Sequence, residues 1–389
     1  MLRIRAEKYE TDLFIWRFIR KLIKTGLRMI QEAGIKKLSL RRLAALIVIV
    51  LPPGKGEVSP FYDESGRVIP DSVAEKRFLE VDDGKIGMIL LAKDKTKPVL
   101  LICGGGPGIP QYLLESLYPS GLADEFVVCY MEYRGTGLSY SADICAEDMT
   151  TDRYIADVLA VTEYLKKRFS QEKIYILGHS FGTYIAVQTV QRYPEHYQAY
   201  FAMSQICDQK ESEYQAYDYM KEQYEKAGNK KMVRKFEQYP IQQSEEIYEK
   251  YMTSSLRDTA MHGLGVGTAR DMKSVISGIF FPSLRCSAYT PEERINIWRG
   301  KLASADFPVT EDAIHFNAFS DAKSLPIPVY FFAGQYDRTC CYSLQKKYYE
   351  MVDAPEKYFY TFEESAHSPL YEEPEKAEEI FKNILEEAD

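Results

Sequence analysis

The sequence predicts an α/β fold: a doubly wound, mostly parallel sheet with an inserted helical cap and an N-terminal helical arm. Apolar runs typical of buried strands alternate with amphipathic helical patterns at βαβ spacing, which favours parallel strands. From residue 208 to residue 324 the pattern becomes polar, rich in tyrosine and helical in period, which indicates an insertion. We therefore expect an arm at residues 1–56, a core at 57–207 and 325–389, and a cap at 208–324.

Composition supports a folded protein and excludes some partners. Hydrophobic residues make up 46% of the 389 residues and charged residues 27%, so a large core is possible. The net charge of −8 argues against nucleic acid as a partner. The seven cysteines are scattered and lack C-x-x-C spacing, which favours reduced thiols in a cytoplasmic protein. No metal or organic cofactor is predicted.

The predicted strands run through both pieces of the core. The first two form a hairpin around the turn Asp82-Asp83-Gly84, and the later ones are short and buried. Their ranges are 76–80, 85–92, 98–102, 126–131, a run that begins at residue 173, 200–205, 327–333 and 357–362. The clearest helical patterns are 150–169, the segment after Ser180, 211–227, 244–251 and 373–387.

The stretch Gly178-His179-Ser180-Phe181-Gly182 stands between a buried strand and a helix. A nucleophile on so sharp a turn needs small neighbours, because the backbone passes close to itself there. The turn also aims the free N–H groups of a helix N-terminus at the site. The motif is short, so a glycine-rich turn without chemistry remains an alternative.

Three groups follow strands in the order Ser180, Asp337, His367, which is the chain order of a serine hydrolase on a doubly wound sheet. In that chemistry His367 takes the proton of Ser180, and Asp337 fixes the imidazole tautomer and stabilises the imidazolium. Asp312 or Asp321 could supply the acid instead of Asp337. These residues predict nucleophilic acyl transfer.

A glycine-rich loop, residues 103–108, follows the strand at 98–102. Glycines let backbone N–H groups approach an oxygen that develops negative charge, and we expect the N–H groups of Gly106 and Phe181 to form an oxyanion hole. A phosphate-binding loop would place Lys-Ser or Lys-Thr after the glycines, and neither is present.

Over residues 75–389 these motifs resemble the α/β-hydrolase superfamily, and within it the prolyl-iminopeptidase-like serine peptidases. The first loop of that group reads His-Gly-Gly-Pro-Gly, where this chain has Gly104-Gly105-Gly106-Pro107-Gly108. The second loop reads Asp-Gln-Arg-Gly-x-Gly-x-Ser, where this chain has Glu132-Tyr133-Arg134-Gly135-Thr136-Gly137-Leu138-Ser139. The nucleophile of the group is usually followed by Trp, and here Phe181 stands in its place.

The resemblance implies an aminopeptidase that releases N-terminal residues, often proline, from small peptides. Members of the group bind the free amine through cap carboxylates, for which Glu211 and Glu213 are the candidates here. A carboxylesterase or lipase-like enzyme acting on small esters would use the same triad. A third alternative is a non-catalytic ligand-binding protein of the same fold, although such a protein would have no need of all three triad residues.

The arm at residues 1–56 has a basic amphipathic pattern followed by a wholly apolar run from 43 to 51. Nine apolar residues are too few to span a bilayer. We expect the arm to pack on the body or on a second subunit, or else to touch a membrane surface. The predicted location is cytoplasmic, with membrane association possible through this arm.

Overall fold

The computed structural model describes residues 54–82 and 84–388, so nearly all of the predicted arm lies outside the described residues. Within those two ranges no helix combines the length and the apolar character needed to cross a membrane. The same ranges contain no group of three or more His, Cys, Asp or Glu side chains that could hold a metal ion.

An eight-stranded sheet forms the centre of the molecule, in the spatial order β1-β2-β4-β3-β5-β6-β7-β8. The first hairpin is antiparallel, β2 pairs antiparallel with β4, and every later pairing is parallel. This confirms the predicted mostly parallel sheet and its hairpin. The strands are β1 (Val73–Val81), β2 (Gly84–Ala92), β3 (Val99–Cys103), β4 (Val127–Met131), β5 (Ile174–His179), β6 (Tyr197–Met203), β7 (Val329–Gly334) and β8 (Lys357–Phe362).

Helices cover both faces of the sheet. Those that precede β6 are α1 (Gln111–Leu117), α2 (Leu122–Glu125), α3 (Thr151–Phe169) and α4 (Phe181–Arg192). Those of the insertion between β6 and β7 are α5 (Gln209–Lys226), α6 (Lys230–Phe236), α7 (Glu245–Met252), α8 (Leu256–Leu264), α9 (Phe281–Ser283), α10 (Pro291–Ala303), α11 (Pro308–His315) and α12 (Ala318–Asp321). Those that follow β7 are α13 (Tyr342–Met351), α14 (Pro369–Glu372) and α15 (Pro374–Ala388).

The core has two layers because successive side chains of a strand point to opposite faces. Leu101 of β3 belongs to the buried cluster that includes residues of α3, α4 and α13, whereas its neighbour Ile102 belongs to the cluster that includes residues of α1, α2 and α15. All five residues of β3 and all five of β4 are buried, as expected for parallel strands that are covered on both faces. The predicted doubly wound architecture is confirmed.

The helices of the insertion begin where the sequence supplies N-caps. Asp208 accepts from Glu211 N at the start of α5, and Ser244 accepts from Ile247 N at the start of α7. A capping box formed by Thr290 and Glu293 starts α10. These caps satisfy backbone N–H groups that would otherwise lack partners, and they explain why so polar a segment is helical.

Candidate active site

Ser180 lies at the turn from β5 to α4 with φ 54° and ψ −121°, a conformation that L-residues rarely adopt. The flanking glycines allow this turn. A Cβ on Gly182 would lie 1.9 Å from the carbonyl oxygen of Cys103, and one on Gly178 would lie 2.7 Å from Thr183 Cα. Such strain typically costs about 1–3 kcal/mol and collects at functional sites.

Asp337 follows β7 and His367 follows β8, and the structure brings their side chains together. His367 Nδ1 lies 2.9 Å from Asp337 Oδ2. Asp337 is fully buried and accepts from Thr339 N at 2.8 Å, Cys340 N at 3.0 Å and Gln345 Nε2 at 3.2 Å. Both carboxylate oxygens are therefore occupied, which fixes the direction from which the imidazole is held.

The two other candidates for the acid have different partners. Asp312 accepts a hydrogen bond from Thr151 Oγ1 at 2.7 Å. Asp321 accepts from Asn317 N at 3.0 Å, near the start of α12. Of the three carboxylates that the sequence offered, Asp337 is the one that contacts His367.

Ser180 and His367 line the same cavity, together with Gly105 and Gly106 of the glycine-rich loop. No hydrogen bond joins the Ser180 hydroxyl to His367 within the described residues. Hydrogen bonds between catalytic groups are often long in unliganded enzymes and tighten when substrate binds. Phe181 is the first residue of α4, so its N–H lies outside the helix's own hydrogen-bond pattern. Gly106 has φ 91°, which lies in the left-handed region.

His179 holds the loop that carries His367. Its Nε2 donates to the His367 carbonyl at 2.8 Å, and Ser204 Oγ donates to the same oxygen at 3.0 Å. Burial lowers the pKa of His179 to about 3, so this ring is neutral. The same loop is held from the other side by Glu372, which accepts from Ala366 N at 3.0 Å and Ser368 N at 3.1 Å.

The cavity has a volume of about 250 Å³, a size that suits a small substrate. Most of its wall is apolar. The apolar lining residues include Ile109, Leu113, Leu114, Met261, Val275 and Ile279. The wall also carries charged side chains from the insertion, namely Arg257, Asp258 and Lys301.

The two carboxylates that the sequence offered for amine binding do not line this cavity. Glu211 lies on the surface of α5, where it accepts from Gln215 Nε2 at 2.9 Å. Glu213 is fully buried and forms a two-pronged ion pair with Arg257, whose Nε lies 2.8 Å from Oε2. The insertion instead presents Asp258 to the cavity, with its side chain 60% exposed.

Sequence reasoning missed Asp258 and Lys301. Asp258 lies on α8 and Lys301 on α10, and nothing in their local patterns separates them from other surface charges of the insertion. Their place on the cavity wall depends on how the insertion docks on the sheet. Periodicity and motif spacing do not carry that information.

Comparisons with known proteins agree with this architecture. The family model described as alpha/beta hydrolase fold matches residues 98–374. The probable aminopeptidase YbaC of Bacillus subtilis (strain 168) is 30% identical over 324 residues, which are 82% of this chain and 98% of that protein.

Similar folds include two solved structures. One is the proline iminopeptidase of Mycobacterium smegmatis, with a TM-score of 0.58 and 16% identity, over 80% of this chain and 98% of that one. The other is a proline iminopeptidase-related protein of Thermus thermophilus, with a TM-score of 0.52 and 18% identity, over 80% of this chain and 97% of that one.

Proposed function

The chain belongs to the α/β-hydrolase fold family, and we propose that within it the protein is a serine hydrolase that uses Ser180, His367 and Asp337. The observation that carries the proposal is the contact between His367 Nδ1 and the buried Asp337, beside a cavity that Ser180 shares. A neutral imidazole held at Nδ1 presents Nε2 as a proton acceptor.

The proposed reaction has two halves. Ser180 Oγ attacks the substrate carbonyl while His367 Nε2 takes the hydroxyl proton, and the imidazolium then gives that proton to the leaving amine or alcohol. Water next attacks the acyl-enzyme with His367 again as base, which releases the acid and restores Ser180. The N–H groups of Gly106 and Phe181 would hold the oxyanion, where loss of one donor commonly costs about 3 kcal/mol.

We propose that the preferred substrates are small peptides or amides with a free N-terminal amine. The aminopeptidase name of the Bacillus subtilis relative supports this choice. Asp258 offers a carboxylate on the cavity wall. Because it is 60% exposed and already contacts Arg257 at 3.2 Å, an ion pair with an ammonium would contribute about 0.2–1 kcal/mol. We therefore assign the amine to Asp258, since neither Glu211 nor Glu213 lines the cavity.

The alternative function is hydrolysis of small esters. Its supporting observation is the apolar wall built by α1 and by the segment around Val275 and Ile279, which suits an uncharged acyl group.

Turnover of proline β-naphthylamide, its N-acetyl form and p-nitrophenyl butyrate separates the two candidates. For the peptidase we expect cleavage of the free-amine substrate and not of the acetylated one. Asp258→Asn should raise KM for the naphthylamide about two- to fivefold and leave KM for the ester unchanged. Cleavage of the ester alone would select the esterase, and equal cleavage of both naphthylamides would refute amine recognition.

A further inference from the structure

Helix α10 of the insertion packs directly on the two loops that lie over the sheet. A Cβ on Gly300 would lie 2.6 Å from Thr136 Cα, and one on Gly108 would lie 2.9 Å from Lys301 Cα. Ser304 Oγ donates to the Pro107 carbonyl at 2.9 Å. The backbones approach so closely that the position of α10 and the conformation of the glycine-rich loop depend on each other.

Lys301 adds two polar contacts between this helix and the loop. Its ammonium donates to the carbonyl oxygen of Gly106 and, at 3.2 Å, to that of Pro107. The same side chain lines the cavity that contains Ser180 and His367. A residue 195 positions away in the chain from Gly106 thus holds the loop at the point where the oxyanion would bind.

We propose that Lys301 is a positioning residue for the oxyanion hole, and this inference rests on the serine-hydrolase function proposed above. The Gly106 N–H and the Gly106 carbonyl lie in adjacent peptide planes joined by two soft torsions, so anchoring the carbonyls of Gly106 and Pro107 limits the loop conformations and, with them, the directions open to the Gly106 N–H. The ammonium adds a positive charge near the place where the tetrahedral intermediate develops negative charge.

The surroundings of Lys301 predict that the reaction rate depends on its protonation. Burial lowers the pKa of Lys301 to about 8, Arg257 acts in the same direction, and Asp258 opposes it. Glu213 already neutralises Arg257. The other titratable side chains on the cavity wall are His179, His262 and His367. Raising the pH through 8 therefore removes the positive charge from the loop.

The test compares Lys301→Met, which keeps the approximate length and removes the charge, with Lys301→Arg, which keeps the charge at all accessible pH values. Lys226→Met is the matched control, because that lysine is 62% exposed on α5 of the same insertion. For each folded variant, kcat and KM on p-nitrophenyl butyrate and the rate of inactivation by a fluorophosphonate are measured from pH 6 to 10.

We expect Lys301→Met to lower kcat and the inactivation rate about 10–100-fold at pH 7, with KM changed less than twofold, since small misplacement of catalytic groups has effects of this size. Lys226→Met should match the wild type. The wild-type rate should fall as the pH passes 8, and Lys301→Arg should abolish that fall. If Lys301→Met does not fold, the pH dependence of Lys301→Arg still tests the role of Lys301.

Three results would overturn the proposal. A folded Lys301→Met protein with wild-type rates refutes the proposed role of Lys301. It does not refute the proposed serine-hydrolase function, which labelling of the wild type by the fluorophosphonate would still support. An unchanged alkaline fall in Lys301→Arg refutes the role of Lys301 equally. A folded wild type that the fluorophosphonate does not label removes the proposed function, and the role of Lys301 with it.

Discussion

Substitutions in the ion pair between Glu213 and Arg257 test whether Glu213 stabilises the fold or binds substrate. Glu213 is fully buried and the Arg257 side chain is 15% exposed. Arg257→Met would leave a buried carboxylate without its partner, and such losses commonly cost about 3–5 kcal/mol. We expect the urea midpoint to fall accordingly with an unchanged m value, which equilibrium unfolding followed by circular dichroism would measure.

The reverse substitution should be milder. After Glu213→Gln, Arg257 still reaches Asp258 at 3.2 Å and keeps some contact with water, so we expect a loss of about 1–3 kcal/mol. The double variant should recover most of the stability, because replacing a whole buried pair is often close to neutral.

The exposed pair between Lys210 and Glu245 in the same insertion provides the control for this cycle. Its side chains are 40% and 56% exposed, and removing it should cost less than about 1 kcal/mol. The reasoning is refuted if Arg257→Met keeps wild-type stability while Glu213→Gln raises KM for an amine-bearing substrate tenfold. Glu213 would then be free to bind substrate.

Two further predictions concern Glu132 and Glu372, whose pKa values are raised by burial. Burial raises the pKa of Glu132 to about 8 from 4.5, so its contribution to stability is full below about pH 4.5 and is lost as the pH rises through 8. Glu132→Gln should make the decline in urea midpoints from pH 5 to 9 smaller than in the wild type, and an unchanged decline would contradict the assignment. Burial also raises the pKa of Glu372 to about 7, so its hold on the His367 loop weakens as the pH falls below 7. Glu372→Gln should lower kcat and flatten the acid side of the pH–rate profile. The control is Glu379→Gln, which changes an exposed residue and should match the wild type. Equal profiles for the two variants would contradict the role of Glu372.

The parts of the molecule that were predictable from sequence are those with strong local signals. The alternation of buried runs and helical patterns predicted the sheet. The G-x-S-x-G motif predicted the turn at Ser180, because close backbone contacts there exclude side chains at Gly178 and Gly182. Strand ends were less accurate. The predicted strand 76–80 is β1 (Val73–Val81), because pairing with β2 continues as far as Val73 opposite Ala92.

The remaining features depend on contacts between distant segments. Helix α1 spans seven residues, too few for its period to be recognised. Glu213 was identified as a carboxylate on a helix, but the partner that buries it lies 44 positions later in the chain. Lys301 carries no local signal at all, since its contact with Gly106 exists only when α10 docks on the loop.

Ser180 is the proposed nucleophile, and His367 is the proposed base that activates it. Intact-mass analysis after reaction with a fluorophosphonate, followed by peptide mapping, tests this proposal most directly. We expect one adduct per chain, located on Ser180, absent in Ser180→Ala and formed at least about 10³-fold more slowly in His367→Gln. A folded wild type that gains no adduct, or gains it on another residue, would contradict the proposal.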